Sequence, residues 1–282
     1  MHGEHKENLE KSKVFLKFAE LQRQKWLMRF VDTHAHLYDE AFTSEEDPAV
    51  RRAVEAGVTK IVLPDIDSQT RDQMFSLSER HKGTLFPCLG LHPTSVDAGW
   101  KDELSRLEGY LPQRIYAIGE IGMDCYWSKE FLKEQQEVLR IQLEMAASRD
   151  LPVIIHSRES TELIINILKD CSHLGTRGVF HAYSGSVETY DELSRLGDWH
   201  IGIGGVLTYK KASIAETVKR IPLERIVLET DSPYLTPVPF RGHRNESSYI
   251  PHIAGRLAEL TERNIEEIAA ITTANAEKIF GI

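Results

Sequence analysis

From Met28 onward, short apolar and β-branched runs alternate with segments whose apolar residues recur every three or four positions. The runs fall at 30–35, 59–64, 84–91, 115–121, 152–156, 178–182, 200–204 and 225–230, each bounded by Gly, Pro or Asp. Val138, Ile141 and Met145, with Leu139 and Leu143, predict one intervening helix, and Leu163, Ile164, Ile167 and Leu168 another. Pro152 opens a run at a position where its missing N–H matters little. Asn264 followed three residues later by Glu267 predicts a helix N-cap with a capping box.

Eight strand–helix units over about 250 residues predict an α/β fold of one domain, a parallel (β/α)8 TIM barrel spanning 28–282. The competing architecture is an open doubly wound sheet, but no G-x-G-x-x-G turn follows the first run. Gly202, Gly204 and Gly205 read as close-approach glycines within the seventh strand. Residues 1–27 differ, with interleaved Lys and Glu and a helical face of Val14, Phe18 and Leu21. They are expected to form an N-terminal extension outside the fold, helical or disordered, with Met28 as a possible natural start.

The ionisable residues acquire meaning once placed on this frame. His34 and His36 are two apart, so in a strand both imidazoles aim to one side. A lone His-x-His is more often a pair of structural histidines. Here, however, Glu120, His156, His181 and Asp231 also fall at the C-terminal ends of strands, the barrel face where catalytic groups gather. Imidazole and carboxylate together suit Zn, Mn, Co or Mg without choosing among them. Four histidines and two carboxylates exceed one open site and fit two divalent metal ions sharing a carboxylate. Glu120 is the expected bridge; His34, His36 and Asp231 would complete one site, and His156 with His181 the other. Asp231 is also the expected general base toward a metal-activated water.

Weaker candidates surround these. Arg158 could fork onto phosphate oxygens, and His92 could contact phosphate or serve as an outer ligand. Tyr183 and Ser184 are expected to line the pocket. Arg241 and Asn245 lie in a Pro-rich loop, Thr236 to Ser247, expected to rim its mouth. His173, His200, His243 and His252 lack companions at ligand spacing, and Cys125 has no nearby base to activate it.

Composition narrows the function classes. A net charge of −9 has the wrong sign for a surface that coats a duplex, although bound cations would invert the field locally. No apolar run approaches the roughly 18 residues needed to span a bilayer, and Lys17 interrupts the short apolar stretch near the N-terminus. Three scattered cysteines without a Cys-x-x-Cys argue against a disulfide framework and for a reducing cytoplasm. Neither a membrane nor an obligate protein partner is implied.

The strings DTHAHL, GLHP, GEIGMD, PVIIHSR, FHAYSGS, ETDSPYLTPVPFRG and ITTANAEKIFG, in this order, closely resemble the TatD-like family of metal-dependent deoxyribonucleases, within the amidohydrolase-like barrels. The resemblance implies a TIM barrel, divalent metals, and 3′→5′ exonuclease or related phosphodiesterase activity on DNA. It implies metal ligands at His34, His36, Glu120, His156, His181 and Asp231, and strengthens phosphate contacts for His92 and Arg158. Ser247 departs from the family's usual RGxxNEP loop, where a proline follows the glutamate. A closed pit and an acidic chain favour single-stranded DNA ends as substrate. The alternative on the same scaffold is a D-aminoacyl-tRNA deacylase or another ester or amide hydrolase. A non-catalytic binding module would have no need of the full ligand set and base.

Overall fold

The computed structural model describes residues 28–282, so the expected extension at 1–27 lies outside the described residues. Among the described residues there are eight strands, one for each apolar run. They are β1 (Phe30–Asp32), β2 (Val58–Leu63), β3 (Leu85–Pro87), β4 (Ile118–Asp124), β5 (Val153–Arg158), β6 (Gly178–Phe180), β7 (Trp199–Ile203) and β8 (Ile226–Leu228). All pair parallel to their chain neighbours, β1 to β3 in one ladder and β4 to β8 in another. Single bridges join the two seams: Leu89 with Ile118, and Ala35 with Ser232. The bonds from Gly119 N to Leu89 O (3.0 Å) and from Asp231 N to His34 O (2.8 Å) carry the ladder across them. The ring is thereby closed as a (β/α)8 barrel.

The outer layer comprises α1 (Glu46–Glu55), α2 (Arg71–Arg80), α3 (Trp100–Glu108), α4 (Leu132–Ser148), α5 (Thr161–Asp170), α6 (Val187–Ser194), the single turn α7 (Ile214–Thr217), α8 (Ile250–Thr261) and α9 (Ile265–Phe280). The cap expected at Asn264 is present, with its side chain accepting from Glu267 N at 2.6 Å. No described helix is long and apolar enough to cross a membrane.

Val31, Val62, Phe86, Ile154, Val179 and Val227 come from six different strands and form one buried cluster. Residues of six strands can meet only inside the ring, so these fill the barrel's interior. Ile279 and Phe280 of α9 join the same cluster. The two-residue period then dictates what stands in the next interior layer. Two positions beyond Ile154, Val179 and Val227 come His156, His181 and Glu229, and Asp231 follows in the loop after β8. Gly202 faces the same interior. A Cβ there would lie 2.0 Å from Glu229 Oε2, so the missing side chain makes room for that carboxylate.

β4 departs from a regular ladder where it enters this layer. Its register shifts between Ile118 and Ile121. Asp65, just past β2, receives Glu120 N at 3.0 Å and donates its own N–H to Gly119 O at 2.9 Å. Glu120 is therefore third in a strand that continues to Asp124, not near its end as the sequence suggested. The Asp65 carboxylate is itself fully buried against Arg71, whose Nε donates at 2.6 Å, and it accepts from Gly90 N at 3.2 Å.

Burial pushes the Asp65 carboxyl up to about 7 even though Arg71 pulls it down. Arg71→Met should then destabilise the fold by about 3–5 kcal/mol at pH 8. A carboxyl whose folded-state pKa is raised costs more stability as pH climbs above its unfolded value of about 3.9. The loss should thus be smaller at pH 5 than at pH 8, and adding Asp65→Asn should remove that pH dependence. Urea titrations of both variants at the two pH values measure it.

Candidate metal centre

β1 stops at Asp32 because the chain there turns onto β8. The fully buried Asp32 carboxylate accepts from Thr230 Oγ1 at 2.6 Å, Thr230 N at 2.9 Å and His34 N at 3.2 Å. That clamp directs His34 and His36 inward. His34 Nε2 lies 3.1 Å from His36 Nε2 and 3.1 Å from Glu120 Oε2. The His36 ring is oriented by Tyr38, whose hydroxyl lies 3.0 Å from Nδ1 and also donates to the Pro64 carbonyl. Asp231 adopts a left-handed backbone (φ 57°), a region Asp tolerates better than most residues. Its Oδ1 lies 3.7 Å from Nε2 of both His34 and His36.

The other carboxylate oxygen of Glu120 faces the opposite way. Oε1 lies 2.9 Å from His156 Nδ1, 3.4 Å from His92 Nε2 and 3.7 Å from His181 Nε2. Ligand atoms gather in three overlapping groups: His34, His36 and Glu120; His34, His181 and Asp231; and His92, Glu120 and His156. The sequence paired His156 with His181, and both face Glu120 Oε1, while the His181 ring also stacks on His34 at 3.5 Å and His156 meets His92 at 4.5 Å. Glu229 sets the position of the His181 ring. Its Oε1 accepts from Ala182 N at 2.6 Å and lies 3.1 Å from His181 Nδ1, drawing that ring toward β8.

This donor set fits divalent cations. His34 Nε2, His36 Nε2 and Glu120 Oε2 converge within 3.1–3.5 Å of one another, an arrangement of acceptor atoms that is repulsive unless protons or cations lie among them. The imidazole and carboxylate mixture suits Zn, Mn, Co or Mg alike.

Electrostatics differentiates the carboxylates. Burial alone would raise the Glu120 carboxyl, but the imidazoles of His34, His92 and His181 outweigh it and hold the group well below the usual range. At Asp231 burial prevails over His181 and His36, and the carboxyl is pushed up to about 6. His181 shifts upward, to about 10, because Glu229, Asp231 and Glu120 together overcome its burial. Asp124 is brought down to about 2 against its burial by His156, whose Nε2 lies 3.0 Å away, and by the N–H groups of Trp127 and Tyr126.

Sequence reasoning missed Asp124, Glu229, Asp32 and Tyr38. Two of them carried a readable signal. Asp124 shares Glu120's face of β4 four residues on, and Glu229 stands two residues past the inward-facing Val227. Asp32 and Tyr38 act on ligand orientation from outside any recognisable spacing.

The predicted substrate residues fare differently. Arg158 and Ser184 line the same cavity as the metal-type ligands, about 940 Å³ in volume. Tyr183, Ser184 and Arg241 line an adjoining pocket of about 550 Å³ that shares Asp231 with it. Asn245 requires a correction. It is fully buried, and its amide donates to the carbonyls of Thr230 at 2.7 Å and Tyr234 at 2.6 Å while Oδ1 accepts from Glu246 N. With its polar atoms committed to backbone, it braces the loop after β8 and does not reach a ligand. Cys125 is buried and its thiol is pushed up by that burial, consistent with an inert cysteine.

If these groups bind divalent ions, chelation should lower the melting temperature, since a ligand at about 100 times its Kd adds roughly 2.7 kcal/mol of stability. Glu120→Ala should abolish the metal-dependent part of that shift and reduce the bound metal found by elemental analysis. An unchanged metal content would remove Glu120 from the centre.

Known proteins resemble this chain over nearly the whole barrel. The family model described as TatD related DNase matches residues 31–281. The uncharacterized metal-dependent hydrolase YabD of Bacillus subtilis is 38% identical over 258 residues, covering 89% of this chain and 98% of that protein. A protein of Erwinia amylovora named 3′-5′ ssDNA/RNA exonuclease TatD is 31% identical, covering 89% of this chain and 99% of its own. The crystal structure of YjjV, a TatD homologue from Escherichia coli K12, superposes with a TM-score of 0.82 at 32% identity, covering 91% of this chain and 99% of that one. The chain belongs to the TatD family of metal-dependent hydrolases.

Proposed function

We propose that this protein is a two-metal phosphodiesterase that removes nucleotides stepwise from the 3′ ends of single-stranded or frayed DNA. The observation that carries the reading is the division of Glu120. Its Oε2 faces His34 and His36 while its Oε1 faces His156, His92 and His181, as a carboxylate between two cations would. His34, His36 and Asp231 would hold one ion with Oε2; His156, with His181 and His92 in reach, would hold the other with Oε1. Bound divalent ions supply Lewis-acid polarisation of a phosphate and a lowered pKa for a nearby water.

The chain's own groups do the rest. Asp231, beside the ion it would help to hold, accepts the proton of the attacking water. Arg158, at the cavity wall, orients phosphate oxygens by its planar fork. The ligands lie at the floor of a pit, and the chain carries a net charge of −9. A strand end can enter such a pit, whereas an internal bond of a closed duplex cannot. The name of the Erwinia amylovora relative supports a nucleic-acid substrate. Three free, buried cysteines support a reducing, cytoplasmic setting.

The adjoining pocket favours one other reading. Its walls include Leu207, Ile214 and Tyr183, and it opens beside Asp231. An apolar recess there would equally suit the side chain of a D-aminoacyl-tRNA ester.

On 5′-labelled single-stranded DNA, metal-loaded protein should yield a ladder, with little nicking of supercoiled plasmid. Asp231→Asn should lower kcat by about 10²- to 10⁴-fold, the usual contribution of a general base. Rapid plasmid nicking without a ladder would overturn end recognition. Silence on both substrates with hydrolysis of D-aminoacyl-tRNA would transfer the case to the deacylase.

A further inference from the structure

Six large apolar side chains are left exposed among the described residues, and four of them gather at one place while Val54 and Val238 stand elsewhere. Trp127 (69% exposed), Tyr234 and Leu235 line the mouth of the metal cavity, and Tyr126 (51%) adjoins Trp127 edge-on at 5.0 Å between centroids. An exposed tryptophan gains nothing for the fold, and a cluster of such groups at a cavity mouth marks a binding surface.

The Tyr126–Trp127 pair is held in place. The Arg158 guanidinium carbon lies 3.9 Å from the Tyr126 ring centroid and 5.1 Å from that of Trp127. Asp124 ties the pair to the centre: Oδ1 accepts from Tyr126 N at 3.0 Å and Trp127 N at 3.1 Å, while Oδ2 lies 3.0 Å from His156 Nε2. One carboxylate therefore sets both the aromatic rings and a metal-type imidazole.

We infer that Trp127, with Tyr126 and Arg158, is a stacking platform for a nucleobase one or two nucleotides inward from the cleaved end. The inference rests on the single-strand nuclease reading above. An aromatic face beside a guanidinium matches the chemistry of a single strand, which offers a base to stack and a phosphate to neutralise. A protein partner would require a broader apolar area than two rings at the lip of a pit. The platform lengthens the grip beyond the reacting phosphate. It would make the enzyme favour strands with a base at that position over a lone terminal nucleotide.

The test is a double-mutant cycle on binding, read by fluorescence anisotropy with metal-loaded protein. The probe is a short labelled single strand with hydrolysis-resistant phosphorothioate linkages, intact or abasic at one position near its 3′ end. Trp127→Ala should weaken binding of the intact strand about tenfold, and Trp127→Phe should retain most of it. Removing one base from the strand should weaken wild-type binding similarly, yet cost Trp127→Ala almost nothing more. Equal affinity of wild type and Trp127→Ala, or full additivity at every abasic position, would overturn the platform and leave the nuclease reading standing. Failure of wild type to bind any strand would overturn the platform too, and the ladder assay would then decide separately on the nuclease.

Discussion

Everything at the mouth of this barrel is arranged around a carboxylate that has almost no water. Glu120 is 2% exposed and is faced by the imidazoles of His34, His36, His92, His156 and His181. Burying an ionised carboxylate is costly unless positive charge accompanies it. The histidines can supply that charge as imidazolium or deliver their lone pairs to a cation. The surrounding acids, Asp231, Glu229 and Asp124, add further negative charge to the same small volume. Such a cluster is a poor device for stability and a good one for holding multivalent cations.

The barrel provides it by simple periodicity. An apolar layer fills the interior, and on β5, β6 and β8 the next inward position becomes a ligand or its support. Where regular pairing would misplace a group, the chain breaks the ladder. β4 shifts register at Glu120, and Asp231 takes a left-handed conformation. The cost of these irregularities is borne by buried bonds nearby: Asp65 with Arg71, Asp32 with Thr230, and Asn245 with the carbonyls beside Asp231.

The barrel was legible because eight apolar runs, each with a helix-period partner, leave little choice of architecture. The ligand types were legible because strand ends could be located to within a few residues. The placement of the His181 ring against His34 was not. His181 follows Glu229, a contact between residues 48 positions apart that no spacing encodes. Nor was the true role of Asn245, since an amide that braces carbonyls and one that binds a ligand look alike in sequence. Asp124 and Glu229 were overlooked because carboxylates are common, and the two-residue parity that singles them out is clear only once β4 and β8 are known to run past Glu120 and toward Asp231.

The position of the barrel's closing seam has a consequence for how the protein comes into being. The Ala35–Ser232 bridge and the Asp32–Thr230 clamp join the first strand to the last, and His34 and Asp231 stand on either side of that join. During synthesis the two halves of this ligand group are separated by nearly two hundred residues of intervening chain. A nascent polypeptide that has emerged only through β7 carries His34, His36 and Glu120 but lacks Asp231 and Thr230, the residue that clamps Asp32. Contacts of such long sequence separation form late and at a high entropic cost. Full ligation and completion of the ring are thus the same event, and a truncated or half-made chain has no finished centre.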